Sequence, residues 1–299
     1  MPMSQVPRFI DPSTLSRLSN MELRARAVVE GFIAGLHKSP YRGFSVEFAE
    51  YREYTPGDDI RHIDWKVVAR TDRYYVKEFE EETNLQCYIL LDRSASMGYS
   101  SNGISKLEYG SYLAAALSYF ISQQHDGVGF ISFDQDVVDY LPARSKPAHV
   151  HAILTQLEQL TPGKETDIGK PLHEMADMLN RRGMVIIISD LIDDPERTMD
   201  AFQHFRFKGH DLIVFQIMDP DELDFPFTDT VKLKDSETDE EITVVPTLFK
   251  DQYQETIQAF LEENRQGCLK LQADYALLNT AEPLDMGLFT YLAKRSRMY

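Results

Sequence analysis

Cysteine, tryptophan and long apolar runs are all scarce in this chain of 299 residues. Its two cysteines, Cys87 and Cys268, lie far apart in sequence, which does not indicate a disulfide framework. No segment approaches the roughly 20 apolar residues that a membrane span needs. The N-terminal stretch lacks the apolar segment of a secretory signal. We therefore expect a cytoplasmic protein without a membrane span.

Positive charge is also in short supply. The chain has 31 Lys and Arg residues against 48 Asp and Glu residues, and its formal net charge is −17. Because nucleic-acid binding needs a basic face that neutralises phosphates, we expect no nucleic-acid partner. The HExxH, CxxC and phosphate-loop sequences are absent, so the motifs give little support to zinc or nucleotide binding.

From Leu85 onward, the sequence alternates between apolar runs and amphipathic helical patterns. The runs are LQCYILLD, GVGFISFD, GMVIIISD and DLIVFQIMD. Continuous Val-, Ile- and Leu-rich strands separated by helices predict an α/β fold with a doubly wound, mostly parallel sheet. After about residue 225 we expect a hairpin around an acidic tip, a helix at Leu248–Arg265, a strand at 268–275 and a last helix near Pro283–Lys294.

The N-terminal part has a different character. A helical pattern runs from about residue 12 to residue 38, with Ser19 or Asn20 as its cap. Short β-like pieces follow, and we expect a small unit over residues 1–82 ahead of a main domain over 83–299. Charged residues of both signs surround Trp65, and we favour a structural ion network over a partner-facing surface. They are Asp58, Asp59, Arg61, Asp64, Arg70 and Arg73.

Candidate ligand residues lie where the predicted strands end. Asp92 ends one apolar run and Asp190 ends another, and the carboxyl ends of parallel strands form the ligand crevice of such sheets. If the loop after Asp92 is extended, Ser94 and Ser96 point the same way as Asp92. Thr166 lies in an intervening loop just before a helix. Hard oxygen ligands of this kind suit Mg²⁺, or Mn²⁺.

Other interpretations of the same residues fit less well. An EF-hand loop that starts at Asp92 would need glycine at its sixth position and glutamate at its twelfth, where Met97 and Gly103 stand. The G-x-S-x-G elbow of serine hydrolases is absent. A metal-dependent hydrolase would need a general base, for which there is no clear candidate. A plain strand-ending turn without a ligand also remains open.

The motifs ILLDRSASMG, KETDIGKPL and VIIISD resemble a von Willebrand factor A domain with its metal-ion-dependent adhesion site. Upstream, FSVEFAEYREYTPGDDIRHIDWKVVARTDRYYVKEFEEE closely resembles the signature of the DUF58 family of prokaryotic proteins. This resemblance spans roughly residues 35 to 220. On that comparison the motif residues that match the metal ligands are Asp92, Ser94, Ser96, Thr166 and Asp190.

The resemblance implies a non-enzymatic, metal-dependent interaction module that binds a partner carboxylate. It also implies work with a MoxR-type AAA+ ATPase in the assembly or maturation of other proteins. The alternatives are a metal-dependent hydrolase and a scaffold whose metal site is vestigial. The sequence departs from many A domains at Leu191, where they have glycine. Asp193 and Asp194 follow, and we expect them to cap the next helix rather than to add negative potential near the metal.

Overall fold

The structure, a computed structural model, describes residues 12–36, 51–53, 75–77, 85–163, 168–234 and 241–295. The ion network expected around Trp65 and the candidate ligand Thr166 lie outside these ranges, as does the tip of the predicted hairpin. Among the described residues, no helix combines the length and the apolar character that crossing a membrane requires.

A six-stranded sheet forms the centre of the molecule. Its strands are β3 (Gln86–Asp92), β4 (Gly127–Phe133), β5 (Val137–Arg144), β6 (Met184–Ser189), β7 (Asp211–Met218) and β10 (Asp274–Asn279). They follow the order β10-β7-β6-β3-β4-β5, and every neighbouring pair is parallel except β4 and β5. The predicted fold class, a mostly parallel α/β sheet, is therefore confirmed.

Helices cover both faces of this sheet, and smaller elements lie outside it. The helices are α1 (Pro12–Leu15), α2 (Met21–Leu36), α3 (Lys106–Gln123), α4 (Pro147–Gln159), α5 (Gly169–Met178), α6 (Pro195–Phe207), α7 (Pro220–Asp224), α8 (Pro246–Lys270) and α9 (Asp285–Arg295). Two antiparallel pairs join β1 (Tyr51–Glu53) with β2 (Tyr75–Lys77), and β8 (Val231–Lys234) with the strand β9 (Glu241–Val244).

Side chains that alternate along each central strand build two separate apolar cores. In β3, Cys87, Ile89 and Leu91 face the core beneath α2, α3, α4 and α9. Tyr88 and Leu90 face the opposite core, beneath α5, α6 and α8. This burial on both faces explains why the strand sequences are apolar throughout instead of alternating with polar residues.

The α2 helix belongs to the first of these cores. Asn20 caps it as expected, because its side chain accepts a hydrogen bond from the backbone N–H of Leu23 at 2.8 Å. Val29 and Phe32 are buried, and Phe32 packs edge-on against Phe120 of α3. The helix thus packs on α3, which itself covers the sheet, and the proposed division at residues 82 and 83 stays a prediction.

Two strands of the central sheet differ from the sequence predictions. The strand β5 was not predicted. It contains Pro142, which has no backbone N–H to donate, and an edge strand tolerates the loss of that hydrogen bond. The strand predicted at 268–275 is wrong over residues 268–273, because Cys268 and Lys270 still belong to α8 and a turn follows. Cys268 is buried and Leu269 is exposed, a pattern that still fits the helix. The strand β10 starts only at Asp274.

Candidate functional site

The candidate site lies at the switch point of the sheet. From β3 the chain moves to β4 on one side, and it later returns to place β6 on the other side of β3. Crossovers of opposite direction leave a crevice at the carboxyl ends of the two strands. Asp92 ends β3 and Asp190 directly follows β6, so the structure brings these two candidate ligands to the same crevice, as predicted.

Asp92 is completely buried and accepts hydrogen bonds at both carboxylate oxygens. Its Oδ1 accepts from the backbone N–H of Ser94 at 2.8 Å, and its Oδ2 accepts from the hydroxyl of Ser189 at 2.6 Å. Burial and the nearby charge of Asp190 raise the pKa of Asp92 to about 7, against these hydrogen bonds. The carboxylate therefore lies in a place where a further positive charge would stabilise its ionised form.

Ser94 and Ser96 converge, although not for the predicted reason. Residues Ala95–Gly98 form a 3₁₀ turn instead of the extended loop that the sequence argument assumed. The turn places the two hydroxyl oxygens 3.1 Å apart. Adjacent ligands of an octahedral Mg²⁺ at 2.1 Å lie about 3.0 Å from each other, so this spacing suits two ligands of one hard cation.

Asp190 is bound by a buried lysine. The ammonium of Lys106, at the start of α3, lies 2.7 Å from Asp190 Oδ2 and 2.6 Å from Glu222 Oε1. Burial lowers the pKa of Lys106, but the charges of Asp190 and Glu222 outweigh it and the net shift is upward. Asp190 Oδ1 accepts from the backbone N–H of Ile192 at 3.2 Å. One ammonium is thus shared by two carboxylates, and Asp190 already has a cation of the protein at its Oδ2.

The close approach of α3 to the sheet makes this ion pair possible. A Cβ on Gly110 would lie 3.0 Å from Leu91 and 3.2 Å from both Ile188 and Ile217. Only glycine lets the helix lie this close to β3, β6 and β7 without displacing their side chains. The first turn of α3 then carries Lys106 over the carboxyl edge.

These contacts decide which predicted ligands fit a divalent cation. Asp92, Ser94 and Ser96 form a compact set of hard oxygens, whereas Asp190 Oδ2 faces Lys106. Among the described residues of the site, the carboxylates of Asp92, Asp190 and Glu222, when ionised, exceed the ammonium of Lys106 by two negative charges. The first-loop residues therefore fit Mg²⁺ or Mn²⁺, while Asp190 fits a supporting role beside Lys106. Within the described ranges, no group of three or more His, Cys, Asp or Glu residues has metal-binding geometry.

Thr166 lies within residues 164–167, outside the part of the chain that the structure describes. The residues on each side of this segment are fixed to the other two loops. The backbone N–H of Gly163 donates to the carbonyl of Arg93 at 2.5 Å, and that of Ile168 donates to Asp193 Oδ2 at 2.8 Å. The placement of Thr166 stays a prediction.

The two acids after Leu191 have different roles. Asp194 caps α6, since its Oδ1 accepts from the backbone N–H of Glu196 at 2.9 Å, which confirms the expected cap. Asp193 instead binds the backbone of Ile168, as described above. Leu191 has φ of 57°, in the left-handed region, and its side chain is 1% exposed. The glycine that many A domains have at this position would adopt this backbone without strain. Leucine is strained there, but its side chain is buried.

Sequence reasoning missed several site residues. Lys106 reads as an ordinary solvated residue at a helix start, and Glu222 lies in a short helix that gives no periodic signal. Asp219 was detectable, because it ends the run DLIVFQIMD as Asp92 ends its own run. Its carboxylate accepts a hydrogen bond from the backbone N–H of Ser101 at 2.9 Å and bonds the Ser101 hydroxyl, which joins the end of β7 to the first loop.

Comparison with known proteins identifies a family. Residues 50–266 match the family described as "Protein of unknown function DUF58". The Mycobacterium tuberculosis protein Rv1480 is 27% identical over 246 residues, which cover 81% of this chain and 77% of that protein. The Bacillus subtilis protein YeaD is 23% identical over 49% of this chain and 35% of its own length. The family predicted from the sequence is confirmed.

Several solved structures are similar as well. BatB from Bacteroides thetaiotaomicron is 17% identical with a TM-score of 0.48, over 72% of this chain and 100% of that chain. An aerotolerance-related membrane protein from Bacteroides fragilis is 19% identical with a TM-score of 0.49, over 70% and 99% of the two chains. The VWA domain of SpRpn10 is 8% identical with a TM-score of 0.38, over 68% and 93%. These low scores are no basis for transferring a function.

Because the backbone of Leu191 is strained, we expect its glycine variant to be more stable than its alanine variant, which is the reverse of the usual order. Leu191→Ala and Leu191→Gly both lose the buried side chain, at about 2–5 kcal/mol. Only glycine also relieves the left-handed backbone, which costs other residues about 1–2 kcal/mol. Urea unfolding should therefore show Leu191→Gly as the more stable of the two variants. At Leu172 in α5 the usual order, with alanine more stable than glycine by about 1 kcal/mol, is the control. The same order at both positions would contradict the interpretation.

The buried ion pair predicts a large effect at Lys106. Lys106→Met keeps the aliphatic length but leaves Asp190 and Glu222 without their cation, so unfolding free energy should fall by about 3–5 kcal/mol. Adding Asp190→Asn to that variant should recover part of the loss. Lys170→Met, which breaks the exposed pair with Asp136, should cost under about 1 kcal/mol. Equal costs for Lys106→Met and Lys170→Met would show that the buried pair is not important.

Proposed function

The chain belongs to the DUF58 family, and we propose that it is a protein-interaction module whose binding centre is the carboxyl edge of its sheet. The observation that carries the proposal is the donor set of Asp92, Ser94 and Ser96. It combines a buried carboxylate of raised pKa with two hydroxyl oxygens 3.1 Å apart. Oxygen donors of this kind favour Mg²⁺ or Mn²⁺ over softer metals.

In this proposal Asp92, Ser94 and Ser96 would hold the divalent cation, with Thr166 as a further candidate. Asp190 would act through its charge, held in place by Lys106 and Ile192. Because hydroxyls are neutral, one carboxylate and two hydroxyls leave a bound cation with positive charge to spare. A carboxylate of a partner protein would then bind the cation as a further ligand.

The family resemblance suggests a MoxR-type AAA+ ATPase, or one of its client proteins, as that partner. Assembly or maturation of other proteins would then be the process served, within the cytoplasm and without catalysis by this chain. ATP chemistry would belong to the partner, since this sequence carries no phosphate-binding loop.

One observation favours a second candidate, a scaffold with a vestigial metal site. Lys106 already supplies a buried cation to Asp190 and Glu222, and a lysine in such a position can replace a metal ion electrostatically. A scaffold of this kind would bind its partner whether or not chelator is present, which separates it from the first proposal.

Magnesium titration tests the metal site. By calorimetry we expect one Mg²⁺ per chain, with affinity lowered about tenfold or more by Asp92→Asn and by Ser96→Ala, equivalent to about 1.4 kcal/mol. The control is Asp211→Asn, since Asp211 begins β7 at the opposite end of the sheet. Asp190→Asn should weaken binding less than Asp92→Asn because Lys106 occupies its Oδ2. Unchanged affinity in Asp92→Asn would refute the site.

Affinity capture tests the partner. The immobilised full chain should retain an AAA+ ATPase or a client from native lysate in Mg²⁺ and release it with EDTA, as read by mass spectrometry. The Asp92→Asn bait should capture neither in Mg²⁺, and the Asp211→Asn bait should behave as the unmodified chain. Capture that persists in EDTA and in Asp92→Asn would favour the metal-free scaffold.

A further inference from the structure

A pair of histidines joins α5 to α6, away from the residues of the carboxyl-edge site. His173 of α5 and His204 of α6 place their Nδ1 atoms 3.1 Å apart, with ring centroids separated by 5.3 Å. Their side chains are 40% and 25% exposed, so solvent reaches both rings. The two helices pack through other residues, among them Met175 and Phe202, and so do not need the rings for their contact.

Each histidine also faces a carboxylate of the opposite helix. His173 Nε2 lies 3.4 Å from Asp200 Oδ2, and His204 Nε2 lies 3.5 Å from Asp177 Oδ1. Asp177 is four residues after His173, and Asp200 is four residues before His204, so the arrangement is nearly symmetric. The resulting order of groups is carboxylate, imidazole, imidazole and carboxylate.

Counting hydrogens shows that this row is incomplete when both rings are neutral. Its contacts are carboxylate with Nε2, Nδ1 with Nδ1, and Nε2 with carboxylate, and each needs one positive or hydrogen-bearing centre. Two neutral imidazoles supply only two N–H groups. If both N–H groups face the carboxylates, two Nδ1 lone pairs are left facing each other at 3.1 Å. One cation between the Nδ1 atoms would complete the row.

From this geometry we propose that His173 and His204 form an interhelical site for Zn²⁺, bound through the two Nδ1 atoms. Imidazole nitrogens bind Zn²⁺ at 2.0–2.1 Å, and two such ligands at a tetrahedral angle lie about 3.3 Å apart. The observed 3.1 Å is close to this separation. Water fills the remaining positions of the site.

The carboxylates complete the argument. A histidine that binds a metal usually donates its other ring N–H to a carboxylate or carbonyl, which fixes the ring and raises its basicity. Asp200 and Asp177 lie on the Nε2 side of the two rings, at 3.4 and 3.5 Å, and we assign them that supporting role. Lys208 also binds Asp177, at 2.7 Å, and competes for its charge. Asp200 is therefore the stronger supporting residue.

Zinc titration by calorimetry tests the site in the full chain. Excess Mg²⁺ is present throughout, so that sites made of hard oxygens do not contribute and the result is independent of the carboxyl-edge proposal. We expect one zinc equivalent, abolished by His173→Gln and by His204→Gln and weakened about tenfold by Asp200→Asn. His151→Gln, which changes a histidine that is 73% exposed on α4, should leave zinc binding unchanged.

Thermal unfolding without zinc checks that each variant folds. If a histidine variant does not, EPR of the unmodified chain with Cu²⁺ provides the count of nitrogen ligands, for which we expect two. If His173→Gln or His204→Gln binds zinc with the same affinity as the unmodified chain, the proposal is overturned. No zinc binding, with a proton shared between the rings in nitrogen NMR, would overturn it as well.

Discussion

The contact of buried Lys106 with Asp190 and Glu222 holds together the carboxyl edge of the sheet. One ammonium joins the first turn of α3, the loop after β6 and the short helix after β7. Both Lys106 and Asp190 are fully removed from solvent, so each is costly to bury and is tolerated only because of the other. The positions of the neighbouring loops therefore depend on an electrostatic requirement as well as on apolar packing.

Asp92, at the start of the first loop, is stabilised by different groups from those that stabilise Asp190. Within the part of the chain that the structure describes, no ammonium donates a hydrogen bond to Asp92, whose carboxylate accepts from a backbone N–H and from the hydroxyl of Ser189. Burial and then the proximity of Asp190 raise the pKa of Asp92, and these hydrogen bonds offset only part of that rise. One side of the crevice thus has a cation from the protein, and the other side is where we propose that a divalent cation binds. This asymmetry is the physical basis for assigning different roles to the two strand-end aspartates.

Much of this could be predicted from the sequence, because the relevant signals are local. Apolar runs that stop at Asp92 and Asp190 predict buried strands and put both carboxylates at one edge. The 3₁₀ turn after Asp92 could not be predicted, since D-x-S-x-S is compatible with either backbone. Lys106 could not be predicted either, because its burial depends on the close approach of α3 at Gly110, which is a tertiary effect. The β5 strand was concealed by Pro142, whose effect depends on whether a strand lies at an edge.

The conformation of Leu191 affects how the crevice would bind a ligand. Its left-handed backbone is held by a side chain packed in the interior, and Ser189 and Asp190 accept hydrogen bonds from the N–H groups of Leu191 and Ile192. A turn fixed in this way has few alternative conformations. Binding beside it loses little conformational entropy on the side of the protein, because that ordering was completed during folding. In the proposed binding, selectivity at this edge would depend on the shape and charge of the bound group, since the turn has few other conformations in which to accept a poor match.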